Sequence, residues 1–117
     1  MTLTDFGKTV RKARIDTGET LLTMSSKLKT SPAFLSGIET GRKKIPNEWV
    51  VKIQVFFKSY GLNLENLEDQ ADVANKSVPI DGLDYQHQML VAGFAKSDLS
   101  QEDLKKFAEM IKNYKRR

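Results

Sequence analysis

Cysteine is absent from this 117-residue chain, histidine occurs once and proline three times. Without cysteine there are no disulfides and no thiolate metal ligands, and nothing calls for an oxidising compartment. The lone histidine, His87, has no second imidazole with which to share a transition metal. A serine triad would depend on that same residue, and no serine stands in the strand–turn–helix setting of a nucleophile elbow. The stretch "GLDYQHQMLVAG" lacks the spacing of a phosphate loop, and the acidic residues are scattered rather than paired. We therefore expect neither an enzyme nor a cofactor. No apolar run approaches the roughly 20 residues of a membrane-spanning helix, and the first residues lack the apolar core of a signal peptide. The expectation is a soluble, cytoplasmic protein with no membrane partner.

What is present is unevenly charged. The formal net charge is +4, yet residues 1–60 hold 11 Lys/Arg against 5 Asp/Glu, residues 61–96 hold 2 against 6, and residues 97–117 hold 6 against 4. A cationic first half suits an anionic partner such as nucleic acid, although the same surplus also solubilises a surface. Apolar residues make up 39% of the chain, enough for a small helical core.

Helical periodicity dominates. Leu3, Phe6, Val10 and Ala13 share one face of a first helix that Gly18 ends, with Lys8, Arg11, Lys12 and Arg14 at other positions. Thr20 is a candidate cap for a short second helix bearing Leu21, Met24 and Leu28. "LKTS" is a turn. Ser31 then caps a third helix, Pro32 fits its first turn, Leu35 and Ile38 point inward, and Gly41 supplies the stop. A basic loop, "RKKIP", leads to a fourth helix capped by Asn47, with Trp49, Val50, Ile53, Phe56 and Phe57 as its apolar set. Asn63 is expected to cap one further turn through Leu64 and Leu67. Gln70 to Gly82 reads as a linker, since it is turn-rich and Pro79 breaks any helix. Two more amphipathic helices follow, one over about Leu83–Ala95 and one opening at Ser100, where "SQED" makes a capping box with Asp103. The organisation expected is an all-α bundle over 1–69, a linker over 70–82 and a helical segment over 83–117.

The second and third helices, joined by a four-residue turn, make a helix-turn-helix pattern. The segment "FGKTVRKARIDTGETLLTMSSKLKTSPAFLSGIETGRKKIP" resembles the phage-repressor (Cro/XRE-type) helix-turn-helix domain. The resemblance is carried by Gly7, Arg14, Gly18, Met24-Ser25, Leu28 and above all Ser31-x-x-x-Leu35-Ser36-x-Ile38-Glu39-x-Gly41, and it covers roughly residues 3–69. It implies a five-helix lambda-repressor-like bundle, with Arg14 and Glu39 as a partly buried ion pair. It also implies that the leading face of the third helix, Ser31, Pro32, Ala33, Ser36, Gly37 and Thr40, turns toward bases in the major groove. Lys8, Arg11, Lys12, Arg42, Lys43 and Lys44 would contact phosphates. The sequence departs from the family at Leu21, where a glutamine often stands, and in the small side chains of the third helix.

Those small side chains leave four readings open. They can allow close approach, with Ala33 against a thymine methyl and Ser36 bonded to either base type. Specificity can come from DNA shape and phosphate register instead. The face can serve a protein partner, or only the core. Burial of Ala33 and Gly37 against the protein's own body would count against a groove-reading face. Phe34 can lie in the core or at the groove rim. Family members usually act as dimers on two half-sites, and the tail offers Leu90, Phe94, Leu104, Phe107 and Ile111 as a dimer contact; the same residues could instead fold back as extra core. The closing "KNYKRR" can attract phosphates or simply be solvated. The expected function is a sequence-specific transcriptional regulator, of the repressor type, bound to double-stranded DNA as a homodimer. The alternatives are an antitoxin that autoregulates its operon and masks a toxin through its tail, and a pure protein-interaction module.

Overall fold

The computed structural model describes residues 2–115. The protein is all-α, with seven helices and no strand among the described residues: α1 (Asp5–Thr17), α2 (Leu21–Lys27), α3 (Pro32–Glu39), α4 (Asn47–Lys58), α5 (Leu67–Asn75), α6 (Tyr85–Lys96) and α7 (Gln101–Lys115). It divides into two compact units, Met1–Val78 and Pro79–Arg117.

Local chemistry sets most helix ends in the first unit. Thr4 caps α1 by accepting from the Gly7 amide at 3.0 Å. Gly18 ends it at φ +76°, a left-handed conformation that costs glycine nothing. Thr20 and Thr23 cap α2 reciprocally, and Ser31 accepts from the Phe34 amide at 3.0 Å with Pro32 in the first turn of α3. In the α2–α3 turn Lys29 is itself left-handed, at φ +56°.

The inward stripes of the five helices close one core: Phe6, Val10 and Ala13 from α1, Met24 from α2, Leu35 and Ile38 from α3, Val50, Ile53 and Phe57 from α4, and Leu67 and Ala71 from α5. Fully burying such side chains stabilises the fold by roughly 1.5–3 kcal/mol each before entropy is counted. Trp49 and Phe56, expected inside, are only partly buried at its edge.

Three sequence expectations are corrected. Asn47 does not cap α4: Pro46 holds the cap position without a side-chain hydrogen bond, and its carbonyl accepts from the Val50 amide at 3.3 Å. The fifth helix is not a turn capped by Asn63 but the nine-residue α5, which begins after Asn66. Consequently Gln70–Asn75 is not linker. Leu67, Ala71 and Ala74 form an i, i+4, i+7 stripe on the core; two of the three are alanines among acids and amides, too faint a signal to stand out. The first unit thus runs on to Val78, and Pro79 opens the second.

The second unit holds α6 and α7. α6 begins two residues later than expected, and Asp84 caps it by accepting from the His87 amide at 2.8 Å. Ser100 and Asp103 bond each other's backbone amides at the start of α7. Phe94 and Phe107 meet edge to face, 5.3 Å between ring centres. No described residue of this unit is buried. Among the described residues no helix is long and apolar enough to cross a membrane.

Candidate nucleic-acid interface

The third helix is fastened at its back. Arg14 on α1 meets Glu39 at the end of α3 in a two-pronged ion pair, Nη1 to Oε2 at 2.6 Å and Nη2 to Oε1 at 2.8 Å. Both side chains are almost wholly withdrawn from water, so each charge depends on the other. The Glu39 carbonyl accepts from the Thr4 amide at 3.1 Å and from the Thr4 hydroxyl at 3.0 Å. Gly7 permits this approach: a Cβ there would lie 2.1 Å from the Glu39 carbonyl oxygen. The C-terminal end of α3 is therefore bolted to both ends of α1, by backbone and hydroxyl at its start and by charge in its last turn.

Its front is open. Ser31 and Ala33 are exposed, and Pro32, Ser36 and Thr40 are half-buried. Ser36 and Thr40 line a groove of about 400 Å³ that also admits Arg11 and Ile15 from α1 and Leu21 from the start of α2. The Thr40 hydroxyl donates to the Ser36 carbonyl of its own helix, at 2.9 Å. Leu21, with Ile15 and Leu3, gives this groove an apolar part of its wall.

Gly37 does not belong to that face. It is buried, and the aliphatic stem of Lys43 lies over it: a Cβ on Gly37 would come within 2.9 Å of Lys43 Cδ. Its expected base-facing role is thereby corrected. The cause is the loop after α3, which turns back so that the Lys43 amide bonds the Gly37 carbonyl at 3.1 Å. The lysine ammonium then sits 5.7 Å from the centre of the Phe34 ring, a cation–π distance. Phe34 itself rests on Trp49, 5.0 Å between centres, so it belongs to the edge of the core.

The basic loop is pinned from an unexpected quarter. Ile45 is buried, and its amide and carbonyl both bond the side-chain amide of Asn75 at the end of α5, at 2.8 and 3.0 Å. Arg42, Lys43 and Lys44 are held exposed just before this clamp. Asn75 was invisible as a site residue because the sequence placed it in a linker; only an i, i+30 contact reveals it. Of the other cations, Lys8 and Arg11 are exposed, whereas Lys12 is engaged with Asp16 at 2.9 Å. Of the closing basic run, Arg116 and Arg117 lie outside the described residues.

A second polar cluster, also missed, braces α2. The Glu19 carboxylate receives Lys27 Nζ at 2.6 Å, the Thr23 hydroxyl at 2.6 Å and the Tyr60 hydroxyl. Hydrogen bonding from Lys27 first, then from Thr23 and Tyr60, holds its pKa down at about 2. The same contact with Glu19 raises the pKa of Lys27. Glu19 forms part of the wall of the α3 groove, and its charge is answered there by three donors. On α5, burial first and then the neighbouring Asp69 push Asp72 above the usual carboxylate range.

The expected dimer residues lie uncovered in the second unit: Leu90 is 69% exposed, Ile111 53%, Phe94 44%, Leu104 39% and Phe107 37%. His87 is exposed as well, and no group of three or more potential metal ligands occurs among the described residues. Compared with models of protein families, with curated proteins and with solved structures, the chain matches none.

Proposed function

We propose that this chain is a cytoplasmic DNA-binding transcriptional regulator of the phage-repressor (Cro/XRE-type) kind, a repressor that places α3 in the major groove. A single observation carries the reading: a short helix is bolted at its back, open along Ala33, Ser36 and Thr40, and flanked by Arg11 and by a clamped cationic loop. Small side chains let the helix axis approach base edges closely. Ala33 suits thymine methyl groups, and the Ser36 hydroxyl suits either base type. Arg42, Lys44 and Lys8 supply register on the phosphates, and sequence-dependent duplex shape supplies the remaining discrimination. Binding, not catalysis, is the activity.

Homodimerisation through α6 and α7 completes the reading, since two copies would cover the five exposed apolar residues named above and present two α3 helices to half-sites roughly 34 Å apart. The truncation that tests this ends at Val78, which keeps α5 and the first unit whole. The full chain should sediment as a dimer and the truncated chain as a folded monomer; a dimer in both would remove the tail's role.

Selection from random duplex DNA tests the main reading. The expected product is a two-fold symmetric motif whose affinity falls with salt at a log–log slope of about −0.9 per neutralised phosphate. Exchanging Arg42 and Lys44 for alanine should weaken every sequence alike and flatten the slope. No enriched motif, with no salt-sensitive retardation, would sink the proposal.

The same uncovered apolar stripe favours one second reading, an antitoxin whose tail masks a toxin. It predicts an adjacent reading frame whose product is lethal alone and co-purifies with this chain; a chain that purifies alone as a symmetric dimer speaks against it.

A further inference from the structure

We infer that the outer face of α4, with the end of α2, is a docking groove for an acidic amphipathic helix of a partner protein. The inner face of α4 is spent on the core through Val50, Ile53 and Phe57. Its outer face is apolar too: Val51 and Val55, one helical turn apart, are 49% and 62% exposed. A helix in a bundle needs only one apolar stripe, and the opposite face is ordinarily polar. These valines, with Leu28 and Phe56, floor a groove of about 500 Å³.

The rim of the groove fixes the occupant's chemistry. Lys27, Lys29 and Lys52 stand around the apolar floor, and no acidic residue lines it. Lys52 is steadied over Trp49, its Nζ 4.6 Å from the ring centre. Lys27 is ion-paired with Glu19 at 2.6 Å, while Lys29 has no acidic partner among the described residues. The complement of a lysine-rimmed apolar trough is a helix with apolar residues at i and i+4 flanked by Asp or Glu. Duplex phosphates would leave the valine floor in water, so nucleic acid is the poorer match. This groove shares no lining residue with the one beside α3, and the two meet only at the Lys27–Glu19 ion pair.

The test uses the isotope-labelled full chain and a synthetic peptide about four helical turns long, with leucines on one stripe and glutamates elsewhere. Its counterparts are the same peptide with lysine for glutamate, a short DNA duplex, and phosphatidylserine-containing vesicles. The acidic peptide should saturably shift the amide resonances of residues 27–29 and 51–59. Val55→Asp should weaken it about tenfold with the unfolding midpoint unchanged, since an exposed side chain is removed from the centre of the contact. Lys52→Glu should weaken it as well, without loss of fold. The inference is overturned if the acidic peptide causes no saturable shifts there, if the lysine peptide binds equally, if duplex or vesicles shift these residues instead, or if Val55→Asp leaves affinity unchanged. DNA retardation by the Val55→Asp chain should equal that of the parent, which keeps this outcome separate from the fate of the α3 reading.

Discussion

The two units are written in the same pattern and reach different ends. Both are built of amphipathic helices, yet the first closes a core from Phe6 to Ala71 while the second buries no described residue. The difference is geometric. Five helices crossing one another surround a common centre, and each apolar stripe finds cover on several sides. Two helices can cover only one flank of each other, so Leu90 and Ile111 remain open however regular their spacing. An apolar pattern tells a helix which face to hide; it does not supply the neighbours that hide it.

The largest effects expected are those that break the contrast at its root. Phe57→Ala should cost the first unit about 3–5 kcal/mol, the usual toll for a large side chain lost from a closed core. Phe107→Ala, at a site already 37% exposed, should change the denaturation midpoint of a dilute sample little and act on association instead. Equal losses in chemical denaturation would erase the distinction. Next comes Glu39→Ala, which strands the Arg14 guanidinium and should also cost about 3–5 kcal/mol; replacing both members by apolar residues should recover much of it.

Asn75→Ala should be milder, about 1–3 kcal/mol, because it orphans the Ile45 amide and carbonyl. Hydrogen exchange at Ile45 should quicken, and DNA affinity should fall although no cation has been removed. The smallest effect expected concerns acid. Glu19 has a folded pKa of about 2, depressed from 4.5, so its contribution is fully present above the unfolded value and is lost as pH falls from about 4.5 toward 2. Glu19→Gln should flatten the dependence of stability on pH in that window. An unchanged acid titration would mean that the Lys27–Tyr60 brace is not formed in solution.

Part of the geometry around α3 was legible before any fold was known: Ser31 caps the helix, Pro32 sits in its first turn, Ala33 is exposed, and Arg14 reaches Glu39. What escaped was of another kind. Gly37 was assigned to the open face by the resemblance, and a matched helix position cannot know that Lys43 will fold back over it. Asn75 looked like a linker residue and Tyr60 was not singled out at all, and each became a brace through contacts 30 and 41 residues away. Gly7 was noticed by resemblance alone; its reason is the Glu39 carbonyl against its Cα.

The sequence by itself determined the helices other than most of α5, the caps at Gly18, Thr20, Ser31 and Ser100, the division into a cationic first half and an amphipathic tail, and most of the apolar stripes. These rest on interactions within about four residues along the chain, and spacing encodes them directly. Only the tertiary structure decided which of those faces would be covered, where the linker truly begins, and how the basic loop is held. Such outcomes depend on loop closure and on which distant neighbours fill the remaining space, and no local spacing specifies a neighbour.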